Sequence, residues 1–217
     1  MRIFLRVCNI PHQEHKTFIN KKEHQHEDFV KINPLKTVPA LQHNGFSIVD
    51  SASIFVYLKQ TFPNLVADHW LPSTLRENIR INEYLHWHHL GLRLFATGLF
   101  RTARGLPFGA LGMPANKDIN RKCFKDVKRS LSILESHFLK DNGFIHNQPD
   151  ISVADLQCVC ELTQLWVLGV DFSIIQPKIH QYIERVAKRT TPHFDDVHKS
   201  LFKVKEKLNF DTSSLDP

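Results

Sequence analysis

The sequence predicts a mixed α/β unit followed by an all-helical unit, and three observations carry that reading. Residues 1–62 hold short apolar runs punctuated by Asn9-Ile10-Pro11, Asn33-Pro34, Val38-Pro39 and Asn44-Gly45, the pattern of small alternating elements. Asn44-Gly45 between two apolar runs is the strongest short-range hairpin signal in the chain. From Ser73 onward the apolar spacing becomes helical. The expected division is therefore a first unit over 1–62, a linker over 63–72 and a helical unit over 73–217.

Taken in order, Ile3, Phe4 and Val7 share a helical face that ends near Asn9-Ile10-Pro11. A strand is expected at about 14–19, then a polar loop over 24–28 and a helical turn to Ile32. Val38, preceding Pro39, is pushed toward an extended backbone whose N–H and C=O can pair with a peptide-like ligand. Pro39 cannot donate a ladder hydrogen bond, which limits regular pairing there. Asn44-Gly45 joins residues 39–43 to 46–49. Asp50-Ser51 then opens a short amphipathic helix through Ala52, Ile54, Phe55 and Leu58. Free N–H groups at a helix start can hold a carboxylate, and Asp50 can pair with an ammonium. Such a combination suits a small zwitterionic peptide.

In the second unit Ile81, Leu85, His88, Leu92, Phe95 and Leu99 advance in steps of four and three. Phe124, Val127, Leu131, Leu134 and Phe138 repeat the rhythm. Between them, residues 105–114 form a breaker-rich apolar loop that reads equally as a pocket wall or as a packed connector. Ser152-Val153-Ala154-Asp155 has the form of a capping box, with Ile151 and Leu156 placed as a hydrophobic staple; these are folding determinants rather than chemistry.

Length and composition bound the class. The chain has 217 residues, 42% hydrophobic and 23% charged, the balance of an ordinary globular protein. The formal charge of +6 is scattered, and the run Lys199, Lys203, Lys205, Lys207 reads as the solvated face of a terminal helix rather than a nucleic-acid patch. Cys8, Cys123, Cys158 and Cys160 show no metal-binding spacing and read as free thiols of a reducing compartment. The apolar start is broken by Arg6 and Asn9, too soon for a signal peptide or membrane span, so a cytoplasmic location is expected.

The succession Asn33-Pro34-Leu35-Lys36-Thr37-Val38-Pro39-Ala40-Leu41, a hairpin, then Asp50-Ser51 and a helix resembles the glutathione site of cytosolic glutathione transferases. Glu23-His24-Gln25-His26-Glu27-Asp28-Phe29, Asp68-His69-Trp70-Leu71-Pro72 and Glu83-Tyr84-Leu85-His86-Trp87 are similar to the theta class in particular. The resemblance spans nearly the whole chain. It implies a thioredoxin-like first domain, an all-α second domain, a two-fold homodimer, and conjugation of glutathione to electrophiles or reduction of organic peroxides. Glutathione would be a co-substrate, with no resident cofactor. By the same resemblance His24 contacts the glycine carboxylate of glutathione, Thr37, Val38, Asp50 and Ser51 complete its site, and Arg93 faces the electrophile. Thr37 stands where theta relatives often carry a lysine, so a hydroxyl replaces a charge-assisted bond. The family's first strand and serine-bearing loop would lie before Met1, and the first serine here is Ser47, so the catalytic group is not assigned. A non-catalytic binding or dimerisation module is the alternative expectation.

Histidines invite a metal reading, which the spacing does not favour. His86 and His89 share a helical face, as a pair without a third ligand or an HExxH pattern, and His12 and His15 have the same weakness. No metal site, nucleic-acid partner or membrane contact is expected.

Overall fold

The computed structural model describes residues 1–103, 117–141 and 143–206. The chain forms two compact units, Met1–Leu71 and Pro72–Pro217. The sequence expectations for the loop at 105–114 and for Lys207 lie outside the described residues.

The first unit opens with helix α1 (Arg2–Val7), which buries Ile3, Phe4 and Leu5. Phe4 is fully buried and meets Phe55 and Trp70 edge-on, with ring centroids 5.0 and 5.4 Å away. Burial of such a ring stabilises by about 1.5–3 kcal/mol. Asn9, at φ 50, ends the helix: its N–H donates to Arg6 O at 3.1 Å and the next N–H, of Ile10, to Leu5 O at 2.9 Å. That pair of bonds is a Schellman stop, which asks for a left-handed residue.

The strand expected at 14–19 is absent. Glu14 is drawn back to Arg2 and Arg6 of α1 at 2.9 and 3.1 Å, and Ile19–Lys21 forms a 3-10 turn. The Phe18 N–H, which a strand would offer to a neighbour, donates instead to the Glu23 carboxylate at 2.6 Å. Phe18 and Ile19 are both over two-fifths exposed, so apolar side chains in this stretch found no sheet face to bury against. Next come a 3-10 turn at Glu23–Gln25 and helix α2 (Glu27–Ile32).

Strands β1 (Ala40–His43) and β2 (Phe46–Val49) pair antiparallel with Ala40 opposite Val49 and His43 opposite Phe46. Asn44 at φ 49 and Gly45 at φ 79 close the hairpin in the way a two-residue turn matched to strand twist requires. A Cβ on Gly45 would meet nothing within 4 Å, so the glycine serves its backbone angle, not space. Helix α3 (Ser51–Thr61) follows, burying Ile54, Phe55 and Leu58, and His43 Nδ1 ties the hairpin to Tyr57 OH of α3 at 2.8 Å.

In the second unit the stripe read at 81–99 is real in register but is carried by two helices, α4 (Leu75–Leu90) and α5 (Leu92–Ala103). Gly91 breaks them at φ −94, ψ −101, and a Cβ there would stand 2.7 Å from the Trp87 ring. Close backbone approach to an indole therefore selects glycine. Helix α6 (Lys117–Ile133) runs into a π-helical turn, Leu134–Phe138. Phe124, Val127, Leu131, Leu134 and Phe138 are all buried, as their spacing requires. A 3-10 turn at Ile145–Asn147 leads to α7 (Val153–Val167), followed by α8 (Phe172–Ile175), α9 (Pro177–Arg189) and α10 (His193–Lys205). On α10 Lys199 and Lys203 are exposed, while Lys205 Nζ lies 3.3 Å over the Trp166 ring.

Helix α7 is buried on nearly every side, and its capping box is present. Asp155 does more than cap. Its Oδ2 accepts from Ser152 N–H at 2.8 Å and Ser152 O–H at 2.7 Å, and its Oδ1 accepts from Ile145 N–H and Tyr182 O–H, both at 2.8 Å. Burial raises its carboxyl above the ordinary range, with these four hydrogen bonds pulling the other way.

His88 is fully buried beside Tyr84, whose OH lies 3.2 Å from Nδ1. Burial, with the Arg93 and His89 charges adding to it, lowers its pKa to about 3. A histidine kept neutral in the fold gives stability that is complete above about pH 6.5 and is lost as the pH falls toward 3, because only the unfolded chain gains the proton. For His88 alone the loss by pH 5 is about 2 kcal/mol. The drop in urea stability from pH 7 to pH 5 should therefore be smaller in His88→Leu than in the unaltered protein, by about 2 kcal/mol. A variant with an unchanged acid limb would sink this account.

Candidate functional site

The loop between α2 and β1 is built on one side chain. Asn33 is fully buried. Its Oδ1 accepts from Leu35 N–H at 2.9 Å, and its Nδ2 donates to Thr37 O at 2.6 Å and Thr37 Oγ1 at 3.2 Å. Its carbonyl accepts from Lys36 N–H at 3.1 Å, and Lys36 takes φ 56. Asn-Pro is a turn initiator because the asparagine side chain can replace backbone partners, and here it holds both ends of the turn. Asn33 has a positioning role that its place in the motif alone did not reveal.

Val38 follows this turn, joined to Pro39 by a cis peptide bond. Among the described residues neither its N–H nor its C=O makes a hydrogen bond. The register, with Ala40 opposite Val49, brings Val38 and Pro39 to the same end of the hairpin as Asp50 and Ser51. Val38 is half-buried and Thr37 exposed, so the edge faces solvent.

Asp50 sits at φ 75, ψ 128, outside the usual regions for a side-chain-bearing residue. Its Oδ1 accepts from Ala52 N–H at 2.9 Å and Ser53 N–H at 3.1 Å. Two of the helix-start donors that the sequence left open to a ligand carboxylate are thus held by Asp50 itself. A backbone angle costing about 1–3 kcal/mol at such a place persists only where its surroundings impose it.

His24 lies in the Glu23–Gln25 turn with Nδ1 buried and without a hydrogen-bond partner, while Nε2 stands 3.5 Å from Gln25 Nε2. No hydrogen bond or ring contact joins it to Thr37, Val38, Asp50 or Ser51 among the described residues. The hairpin end brings those four together, and His24 stands apart from them in bonding.

Arg93 opens α5. Its guanidinium pairs with Glu161 of α7 at 2.5 Å; the Glu161 side chain is 1% exposed and that of Arg93 42%. Thr97 Oγ1 and Gln164 Nε2 donate to the other Glu161 oxygen at 2.8 and 2.7 Å. Burial raises the Glu161 carboxyl, and Arg93 opposes it. The partner of Arg93 was not visible in the sequence, since it lies 68 residues away. A cleft of about 370 Å³ between α4 and α6 is lined by His86, Trp87, Gly91, Phe95 and Arg129, among others, and not by Arg93.

None of the four cysteines is an activated nucleophile. All are free, and burial pushes Cys8 up to about 11 and raises the other three.

Residues 1–61 match the family described as Glutathione S-transferase, N-terminal domain. Over 209 residues the chain is 38% identical to glutathione S-transferase T1 of Arabidopsis thaliana, covering 94% of this chain and 84% of the relative. The chain belongs to the glutathione S-transferase family. Its theta-class character extends to animals: it is 32% identical to glutathione S-transferase theta-1 of Mus musculus over 94% of this chain and 84% of that one. Against the longer glutathione S-transferase T3 of Arabidopsis thaliana, 36% identical, it spans 35% of the relative's length. Among solved structures, human glutathione S-transferase T1-1 in its apo form aligns with TM-score 0.82 at 28% identity, over 99% of this chain and 88% of that one. Human glutathione transferase theta-2, in complex with glutathione and an unknown ligand, aligns with TM-score 0.83 at 26% identity, over 95% and 84%. The thioredoxin-like first domain with a small sheet and the helical second domain are those of the family. Membership in a family of named transferases favours an enzyme over a non-catalytic module.

Proposed function

We propose that the chain conjugates reduced glutathione to small electrophiles, in the service of detoxification. The observation that carries this reading is the unbonded main chain of Val38 at the hairpin end beside Asp50-Ser51. An extended N–H and C=O pair is what a tripeptide backbone can dock against in the manner of an added strand. Val38 pairs with the backbone of glutathione, Ser51 and Asp50 hold its zwitterionic γ-glutamyl end, and Thr37 and His24 meet its glycine carboxylate. Asn33 keeps Thr37 and Val38 in place for this. In the reaction the glutathione sulfur, as thiolate, forms a bond to the electrophilic carbon. The leaving group departs with the bonding pair and the thiol proton passes to solvent. Arg93, anchored by Glu161 yet partly exposed, attracts the departing anion. The residue that promotes the thiolate is not assigned.

Four buried or half-buried free thiols suit a reducing compartment, and the cytoplasm is the proposed location. No described helix is long and apolar enough to cross a membrane. A two-fold homodimer is the proposed assembly. Leu75, Ile79 and Leu90 lie within about 60° on one face of α4 and are more than half exposed, as a self-complementary interface requires.

Calorimetric titration with glutathione should show saturable binding that an S-alkyl glutathione competes away. Incubation with glutathione and an alkyl or aryl halide should yield the thioether by mass spectrometry. A folded protein that neither binds glutathione nor forms conjugate above the uncatalysed rate would overturn the reading.

A further inference from the structure

Glu83, His137 and His146 come from three separate elements of the second unit, α4, the π-helical turn and the 3-10 turn at Ile145–Asn147. Their ligand atoms nonetheless gather within 4.8 Å of one another. His137 Nε2 stands 3.3 Å from Glu83 Oε1, and His146 Nε2 stands 3.4 Å from Glu83 Oε2. The His146 side chain is 8% exposed, and its Nε2 is buried without a hydrogen-bond partner. A buried ring nitrogen that faces a carboxylate yet makes no proper hydrogen bond is costly, and it calls for a missing partner.

We propose that Glu83, His137 and His146 form a three-ligand site for a divalent transition-metal ion of the zinc type, with water completing the tetrahedron. Zinc bonds of about 2.0–2.2 Å to nitrogen and oxygen place neighbouring ligands about 3.3–3.5 Å apart in a tetrahedron. Both measured separations are of that size, and they run to different carboxylate oxygens, His137 to Oε1 and His146 to Oε2, so the ion would sit against both oxygens of Glu83. Two imidazoles and one carboxylate suit zinc rather than calcium or magnesium, which prefer all-oxygen shells. Arg80 Nη1 donates to Glu83 Oε2 at 2.7 Å and would orient the carboxylate as an outer partner. The Arg80 hydrogen bond first, and the histidines after it, hold the Glu83 carboxyl below its usual range, while burial keeps His146 toward the neutral form. Those are the ligand-competent states, and the geometry does not depend on them. Glu83 and His137 are about two-fifths exposed, which leaves the fourth position to solvent. The ion would clip α4 to the turn that leads into α7.

With 14 histidines in the chain, weak adventitious binding elsewhere must be separated from this site. The metal-stripped protein is titrated with Zn²⁺ against a chromophoric chelator, and with Co²⁺ by visible absorption. The expected result is one tight equivalent, a tetrahedral Co²⁺ spectrum and a Zn²⁺-dependent rise in thermal midpoint. His146→Gln and Glu83→Gln should each weaken Zn²⁺ by more than about 100-fold, since even outer partners of a ligand contribute about 10–100-fold. The control His86→Ala/His89→Ala should retain full affinity. His137→Gln, at a half-exposed position, carries the test should His146→Gln fail to fold by circular dichroism. Absence of saturable Zn²⁺ binding, or affinity unchanged in the folded Glu83 and His137 variants, would overturn the proposal.

Discussion

Replacing Asp155 by alanine is expected to destabilise the protein by about 3–5 kcal/mol, enough to remove most of a typical domain's net stability. The substitution strands the Ile145 and Ser152 amides and the Tyr182 hydroxyl in an interior where Asp155 is now their acceptor. Each buried donor left unsatisfied costs about 1–3 kcal/mol, and partial relaxation or an entering water recovers some of the sum. Ser152→Ala removes only one of the four hydrogen bonds and should cost about 1 kcal/mol. Urea unfolding monitored by circular dichroism distinguishes the two. A loss below about 1 kcal/mol for Asp155→Ala would mean the network contributes little beyond an ordinary helix cap.

Asp50 separates two roles within one side chain, a cap for α3 and the proposed partner of an ammonium. Asparagine can still accept from the Ala52 and Ser53 amides but carries no charge. Asp50→Asn should leave thermal stability nearly unchanged and weaken glutathione about ten- to a hundredfold, the range for loss of a charge-assisted hydrogen bond. Asp50→Ala should lose the same affinity and, in addition, about 1 kcal/mol of stability through the cap. Glutathione affinity unchanged in a folded Asp50→Asn protein would confine Asp50 to the structural role and remove it from the site.

Local signals in the sequence were dependable where the physics is local. The Asn44-Gly45 turn, the Phe124–Phe138 stripe and the Ser152–Asp155 cap all describe residues within a few positions of one another, and each stands in the fold as read, whereas the 81–99 stripe is divided at Gly91 and its Phe95 is only half-buried. The strand expected at 14–19 failed for the opposite reason. Strand formation needs a neighbour and a face to bury, and neither is encoded in the stretch itself; Glu14 and Glu23 capture the local donors instead. Gly91 was similarly silent, because its reason is the ring of Trp87 pressed against its backbone.

The family resemblance was legible because Asn33 to Ser51 is one continuous segment whose order and spacing match the family's motif, and the proposed glutathione site rests on it. By itself, then, the amino-acid sequence determined the two-part architecture, the hairpin and the helical rhythm of the second unit. Tertiary structure alone decided that Asn33 anchors that loop, that Glu161 engages Arg93, that Asp155 is a four-bond hub, and that Glu83 meets His137 and His146. Turns, caps and helical stripes arise from backbone sterics and periodicity within a few residues. A pairing such as Arg93 with the buried Glu161, across 68 residues, exists only because folding removes water from the carboxylate and leaves it to find a partner wherever the packed helices bring one.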